Sequence, residues 1–132
     1  AVAVGMGTVR ADQPRLDARE VVAARQPRRL AFGAGPLPPG SGLELRSGGL
    51  AAELRALARE GVHSLLLEGG PALATGFLRE ALVDRLALFV APVLSGAGPH
   101  VLGELEAPVD LTPLQAEPLG HDVLVEAFVN AP

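Results

Sequence analysis

Four consecutive residues, Glu68, Gly69, Gly70 and Pro71, carry the most specific chemistry in the sequence. They lie within VHSLLLEGGPALATGFLREA, residues 62–81, where Val62, Leu65, Leu66 and Leu67 form a short apolar run before them and a helix-like stretch follows. Such a run suits a strand covered on both faces. A carboxylate at its end points into the crevice beyond the strand ends, where ligands of open α/β sheets bind. Two glycines let a ligand approach the backbone closely, and Pro71 suits a first helical position, which needs no amide partner. Amides left free in that first turn attract anions, so strand, double glycine and helix start form a candidate phosphate corner. The same residues also make an ordinary strand-to-helix connection, and a carboxylate beside a helix start can simply cap it. On these residues alone both readings stand.

Positioning such a corner takes a sheet and a core. A chain of 132 residues with 48% hydrophobic content is sized for one domain with a packed interior. It contains no run of about 18 apolar residues and no basic-then-apolar leader, so the expectation is a cytoplasmic protein with no membrane association. Absence of Cys removes disulfides, thiolate nucleophiles and cysteine metal sites, and absence of Lys removes Schiff-base chemistry. All eleven basic residues are Arg, a bias that resembles coding preference and carries no functional weight. The net charge of −4 divides into +3 over residues 1–46 and −7 over the remainder. That basic excess is modest and aromatics are few, so nucleic acid is not an expected partner.

Along the chain, residues 1–6 read as a buried strand that begins abruptly, as if internal to a longer domain. Gly5, Gly7 and Thr8 end it, and VRADQPRLDAR reads as a functional loop in which Pro14 disfavours a long helix. Arg10 stands where a dinucleotide G-x-G-x-x-G would need its third glycine, so a standard Rossmann site is not supported. Residues 20–26 lead into a second strand at 28–32, followed by the surface loop GAGPLPPGSG and a short edge strand at 43–46. Leu50, Leu54 and Leu57 at helical spacing, with Gly61 beyond, predict a helix over 50–60. A second helix at 72–82, a strand at 85–91 and an alternating, antiparallel strand at 122–129 complete an α/β layered pattern. The second Gly-rich loop, PVLSGAGPH, and the Pro-punctuated stretch to Pro118 offer only short elements. His63, His100 and His121 lack ligand spacing, so no metal is expected, and no Ser lies in a G-x-S-x-G elbow.

Two separated segments resemble one family. GMGTVRADQPRLDAR, residues 5–19, resembles the G-x-G-T-V-x-x-D-x-P-x-L loop of the reductase domain of the bifunctional riboflavin-biosynthesis deaminase/reductase. LLLEGGPALATGFLREALVDRLALFVAPVLSG, residues 65–96, resembles that domain's E-G-G-P-x-L segment, the following L-V-D and the A-P-x-L-x-G strand end, and HDVLVEAFV resembles its last strand. The resemblance implies a dihydrofolate-reductase-like α/β fold with a mostly parallel mixed sheet flanked by helices. It implies NADPH-dependent reduction of the ribosyl group of 5-amino-6-(5-phosphoribosylamino)uracil to ribityl, and a homodimer, with neither flavin nor metal. By resemblance, Thr8 and Asp12 match cofactor-contacting positions, as do Gly70, Pro71, Ala72, Leu73, Ala74, Thr75 and Gly76. Leu16, Arg19 and Glu68 match substrate-contacting positions. Arg19 would pair with the substrate phosphate, and no residue is assigned as proton donor.

The sequence departs from the family in carrying Gly33 and Ala34 where Asp-Ser is frequent after the second strand. Nothing corresponds to an earlier strand and loop of the family domain, nor to the Cys-containing deaminase. The expectation is a single, partial reductase domain over 1–132. Two rivals share the sequence features: another small-molecule reductase on the same scaffold, and a non-catalytic dimerisation fragment using the strand at 85–93 and the closing strand.

Overall fold

The computed structural model describes residues 1–19, 21–98 and 100–130. Glu20, at the head of the expected lead-in to the second strand, and Pro99, in the second Gly-rich loop, lie outside the described residues. Strand β1 (Val2–Gly5) runs straight into helix α1 (Met6–Asp12), followed by β2 (Arg29–Phe32) and β3 (Glu44–Arg46). Helix α2 (Leu50–Arg59) then leads to β4 (Leu66–Leu67), α3 (Pro71–Arg79), β5 (Arg85–Val90), β6 (Leu114–Leu119) and β7 (Asp122–Phe128).

The four N-terminal strands form an all-parallel sheet in the order β3-β2-β1-β4. Parallel sheets need both faces covered, and strand alternation delivers this. Ala3, Leu30 and Phe32 point to one side, where they meet Leu57 of α2 and Phe77 of α3, while Val4 and Ala31 point to the other, against Met6 and Val9 of α1 and Leu43. The Phe32 and Phe77 rings meet edge to face at 5.4 Å, a geometry worth about 1 kcal/mol beyond area burial. Helices α2 and α3 therefore sit on one face and α1 on the other. The last three strands form an antiparallel ladder in the order β5-β7-β6. Parallel and antiparallel pairing thus coexist, as expected of the fold class, but in two ladders.

Three local expectations change. The loop expected after β1 starts with two turns of helix, because Pro14 acts only beyond Gln13, whose left-handed backbone (φ 47°) already ends α1. The strand expected over 62–67 is regular only at Leu66–Leu67, where it pairs with β1, with single bonds to the first strand from Ser64 and Glu68 on either side. Strand β6 was not legible because it contains Pro118, a residue normally confined to edge strands. β6 is such an edge, and Pro118 lies opposite Val123, whose own backbone groups alternate towards β5.

An ion network fastens the β3 side of the sheet. Arg28 donates to Glu44 at 2.6 Å and to Glu60 at 2.7 Å, and Arg46 donates to Glu60 at 2.8 Å. The Arg46 hydrogen bonds, and next those of Arg28, hold the Glu60 carboxyl down to about 2. Glu44 is held below the usual carboxylate range, chiefly by hydrogen bonding from Arg28.

Candidate functional site

Strands β1, β2 and β4 are parallel neighbours, so their carboxyl ends share one edge of the sheet. Two of them turn directly into helices there. Gly5 is the N-cap of α1 and Gly70 the N-cap of α3, and neither cap receives a side-chain hydrogen bond. In α3 the backbone amides of Leu73 and Ala74 both turn back to the Gly70 carbonyl, at 3.1 Å, and Pro71 at the first helical position has no amide. The amides of Gly70 and Ala72 are left as donors for an anion, with the helix dipole behind them.

The two helix starts meet. A Cβ placed on Gly70 would lie 3.8 Å from Thr8 Oγ1, and one on Gly5 would lie 3.7 Å from Leu73. Gly69 differs, since a Cβ there would come within 3.2 Å of Leu73. A side chain at position 69 would thus press on Leu73, whereas one at position 70 would make only ordinary contact with Thr8, in the corner between Thr8 and α3. A group brought against Gly70 therefore meets backbone and the Thr8 hydroxyl.

The other expected residues distribute unevenly around this corner. Glu68 is exposed at the carboxyl end of β4, with its amide donated to the Ala3 carbonyl at 2.8 Å. Asp12 is exposed at the last position of α1, where an acid opposes the helix dipole and gains nothing locally. Leu16 has a left-handed backbone (φ 51°) and packs with the core on the α1 side. Arg19 is exposed, and its Nε lies 3.0 Å from Asp17 Oδ1, while Arg15 approaches the other oxygen of Asp17 at 3.2 Å. A substrate phosphate at Arg19 would compete with Asp17.

Within α3 the expected cofactor segment divides by direction. Pro71 opens the helix, Ala72 is exposed, and Leu73 and Ala74 are half-buried, Leu73 with its side chain in the core. Thr75 is turned inward: its hydroxyl donates to the Pro71 carbonyl at 2.7 Å and accepts from the Gly103 amide at 2.8 Å. A Cβ on Gly76 would lie 3.3 Å from Leu50, so Gly76 sits at the α2–α3 contact. Both are occupied inside the protein, which leaves the Gly70 to Ala72 backbone as the part of α3 open to a ligand.

One residue not singled out from sequence stands at the same sheet edge. Arg10 is exposed on α1 and donates to the Ala34 carbonyl, just beyond β2, at 2.8 Å. Its guanidinium lies over Gly35, where a Cβ would come within 2.6 Å of Nη2. The signal in the sequence was the pairing of a cation at position 10 with side-chain-poor residues after β2. Arg10 thus lies against the segment just beyond β2, and the Gly70 corner lies beyond β4, the two strands that flank β1.

Fold and corner define an α/β protein in which two glycine-capped helix starts meet at the carboxyl ends of its parallel strands. Residues 48–125 match the model of the RibD C-terminal domain family, more than half of the chain, and the chain belongs to that family. It is 39% identical over 107 residues to the riboflavin biosynthesis protein RibD of Mycobacterium tuberculosis, a match covering 73% of this chain and 31% of that protein. The solved structure of Acinetobacter baumannii RibD superposes with a TM-score of 0.83 at 22% identity, over 98% of this chain and 47% of that one. A diaminohydroxyphosphoribosylaminopyrimidine deaminase/5-amino-6-(5-phosphoribosylamino)uracil reductase from Thermotoga maritima superposes at 0.78 with 23% identity, over 98% of this chain and 45% of that one. The chain spans about a third of the curated relatives' length and about half of these solved chains. The fold is the dihydrofolate-reductase-like fold of these reductase domains. Among the described residues no helix is long and apolar enough to cross a membrane.

Proposed function

We propose that this chain is the pyrimidine-reductase part of a riboflavin-biosynthesis protein, reducing the ribosyl group of 5-amino-6-(5-phosphoribosylamino)uracil to ribityl with NADPH. The observation that carries this reading is the meeting of Thr8 with Gly70 at adjacent parallel strand ends, beside free amides of α3. The residues present fit the cofactor: the amides of Gly70 and Ala72 donate to a phosphate brought against the side-chain-free Gly70, and the Thr8 hydroxyl supplies a further hydrogen bond. Arg10 offers a cation for an additional phosphate, and Asp12 at the end of α1 takes a sugar hydroxyl.

When bound, NADPH supplies the hydride. The chain's own task is placement, because holding two reactants at bonding distance and aligned accounts for much of such a rate enhancement. In this reading Glu68, just before the corner, orients the polar pyrimidine, and Arg19 exchanges part of its bond to Asp17 for the substrate phosphate. Leu16, fixed by its left-handed backbone, packs against the substrate from the α1 side. A homodimer and a cytoplasmic location accompany this reading, together with a single domain over 1–132.

The test is a reduction assay with this chain, NADPH and 5-amino-6-(5-phosphoribosylamino)uracil, followed by loss of the reduced nicotinamide absorbance and by product mass. Turnover of this substrate and not of dihydrofolate supports the assignment. Turnover of dihydrofolate alone would assign the site to a different reductase.

A further inference from the structure

Gln26 reaches across to Ala18 with both ends of its side-chain amide. Its Oε1 accepts from the Ala18 amide at 2.8 Å and its Nε2 donates to the Ala18 carbonyl at 3.1 Å. These belong to the two peptide groups on either side of Ala18, so the pair of bonds copies one rung of an antiparallel sheet and fixes the backbone between Asp17 and Arg19. Only this orientation of the amide satisfies both groups, since the reverse sets donor against donor and acceptor against acceptor. Among the described residues from 17 to 27 none belongs to a helix or strand, and their backbone groups make no other hydrogen bond within the protein.

Both sides of this contact are themselves held. Gln26 precedes Pro27, whose ring restricts the residue before it to extended backbone, and the carbonyl of Arg28 accepts from the Val2 amide, at the start of β1, at 2.9 Å. On the other side Arg29 donates to the Arg15 carbonyl at 3.2 Å, and Leu16 packs with the core against α1. The two charges that flank Ala18 stand between these anchors. Arg19 Nε lies 3.0 Å from Asp17 Oδ1, and the Arg19 side chain is 58% exposed. A guanidinium has five N–H donors, so Arg19 keeps donors for a second anion.

We infer that Gln26 is a positioning residue for Arg19: by clamping both peptide groups of Ala18 it holds the guanidinium where the substrate phosphate arrives. The inference rests on the pyrimidine-reductase reading, in which Arg19 takes that phosphate, and adds the side chain that keeps Arg19 in place. Gln26 acts only through Arg19. Exposed hydrogen bonds add little net stability, because water takes their place when they break. Their effect falls on binding, since an arginine on an ordered backbone has less freedom left to lose when the anion arrives. A contact to the phosphate, remote from the reacting sugar carbon, is equally strong before and during hydride transfer, so its loss raises KM and leaves kcat.

Gln26→Met keeps the length of the side chain and removes both bonds; Gln26→Ala serves in its place if that variant does not fold. Steady-state reduction with NADPH is compared for the full chain and the variant, on the phosphorylated substrate and on its dephosphorylated ribosylamino counterpart. The expected result is a KM about fivefold higher for the phosphorylated substrate, the worth of about one hydrogen bond. The KM of the dephosphorylated compound, kcat, NADPH affinity and melting temperature should stay as in the wild type. The same KM in both proteins, a rise shared by both substrates, or a fall in kcat or NADPH affinity overturns the inference. If the wild type reduces neither substrate, the assigned reaction fails, and the clamp is then read by NMR titration of both proteins with ribose 5-phosphate. Binding seen at the Arg19 amide and weakened about fivefold in the variant upholds the inference. Equal affinity, or no binding at Arg19 in the wild type, overturns it.

Discussion

Thr8 of α1 and Gly70 of α3 belong to different strand-to-helix turns, yet a Cβ on Gly70 would be 3.8 Å from the Thr8 hydroxyl. That contact is ordinary, and Gly70 has an unstrained backbone (φ −67°). Nothing inside the protein demands glycine at position 70. At position 69, by contrast, a Cβ would press on Leu73 at 3.2 Å. Gly70→Ala is therefore expected to leave the melting temperature unchanged, and Gly69→Ala to lower stability by about 1 kcal/mol or more. Thermal denaturation of the pair checks this; equal losses would show that position 70 is also a packing site.

Thr75 bridges the Pro71 carbonyl and the Gly103 amide while only 4% exposed. Thr75→Val keeps its shape and leaves that amide without its acceptor, at a cost of about 1–3 kcal/mol. Denaturant unfolding should show this loss, with nucleotide affinity of the folded variant changed by less than about threefold, under 1 kcal/mol. A large affinity loss without destabilisation would place the hydroxyl on the ligand.

Arg10 is bonded only to the Ala34 carbonyl among its described hydrogen-bond partners. If it meets the additional phosphate of NADPH, Arg10→Met should weaken NADPH by about tenfold, the worth of one charge-assisted hydrogen bond, and leave NADH unaltered. Parallel titrations with the two nucleotides decide this, and equal weakening of both would remove Arg10 from phosphate recognition.

The network of Arg28, Glu44, Arg46 and Glu60 makes stability depend on acid. Glu60 is held down to about 2 and Glu44 is also lowered, while unfolded glutamates titrate near about 4.3. Both carboxylates thus favour the folded state above the unfolded value, and this contribution is lost as pH drops from about 4.3 towards the folded values. Melting temperature should fall more steeply over that interval in the wild type than in Glu60→Gln. The two proteins should differ most near neutral pH and converge in acid; parallel curves would contradict the assignment.

Much of this arrangement was legible in the sequence where the signal was local. The apolar run before Glu68, the glycine pair and Pro71 gave β4, the turn and α3, and Leu50, Leu54 and Leu57 gave α2. Short α1 was masked because Pro14 and the charges around it obscure a helix of only seven residues. β6 was masked because Pro118 is tolerated only by virtue of its edge position, a tertiary property. The same limit applies to the site. Side-chain directions within α3, which turn Thr75 and Gly76 into the protein, and the proximity of Arg10 to Ala34 and Gly35, depend on how elements pack. Spacing along the chain does not encode them.

The central claim is that the corner at Gly70 and Thr8 holds a phosphate of NADPH. Calorimetric titration of NADPH into the wild-type chain and into Gly70→Ala tests it most directly. Saturable binding to the wild type, weakened about tenfold or more in a variant of unchanged melting temperature, is the predicted result. Absence of binding to the wild type, or equal affinity in both proteins, would contradict it.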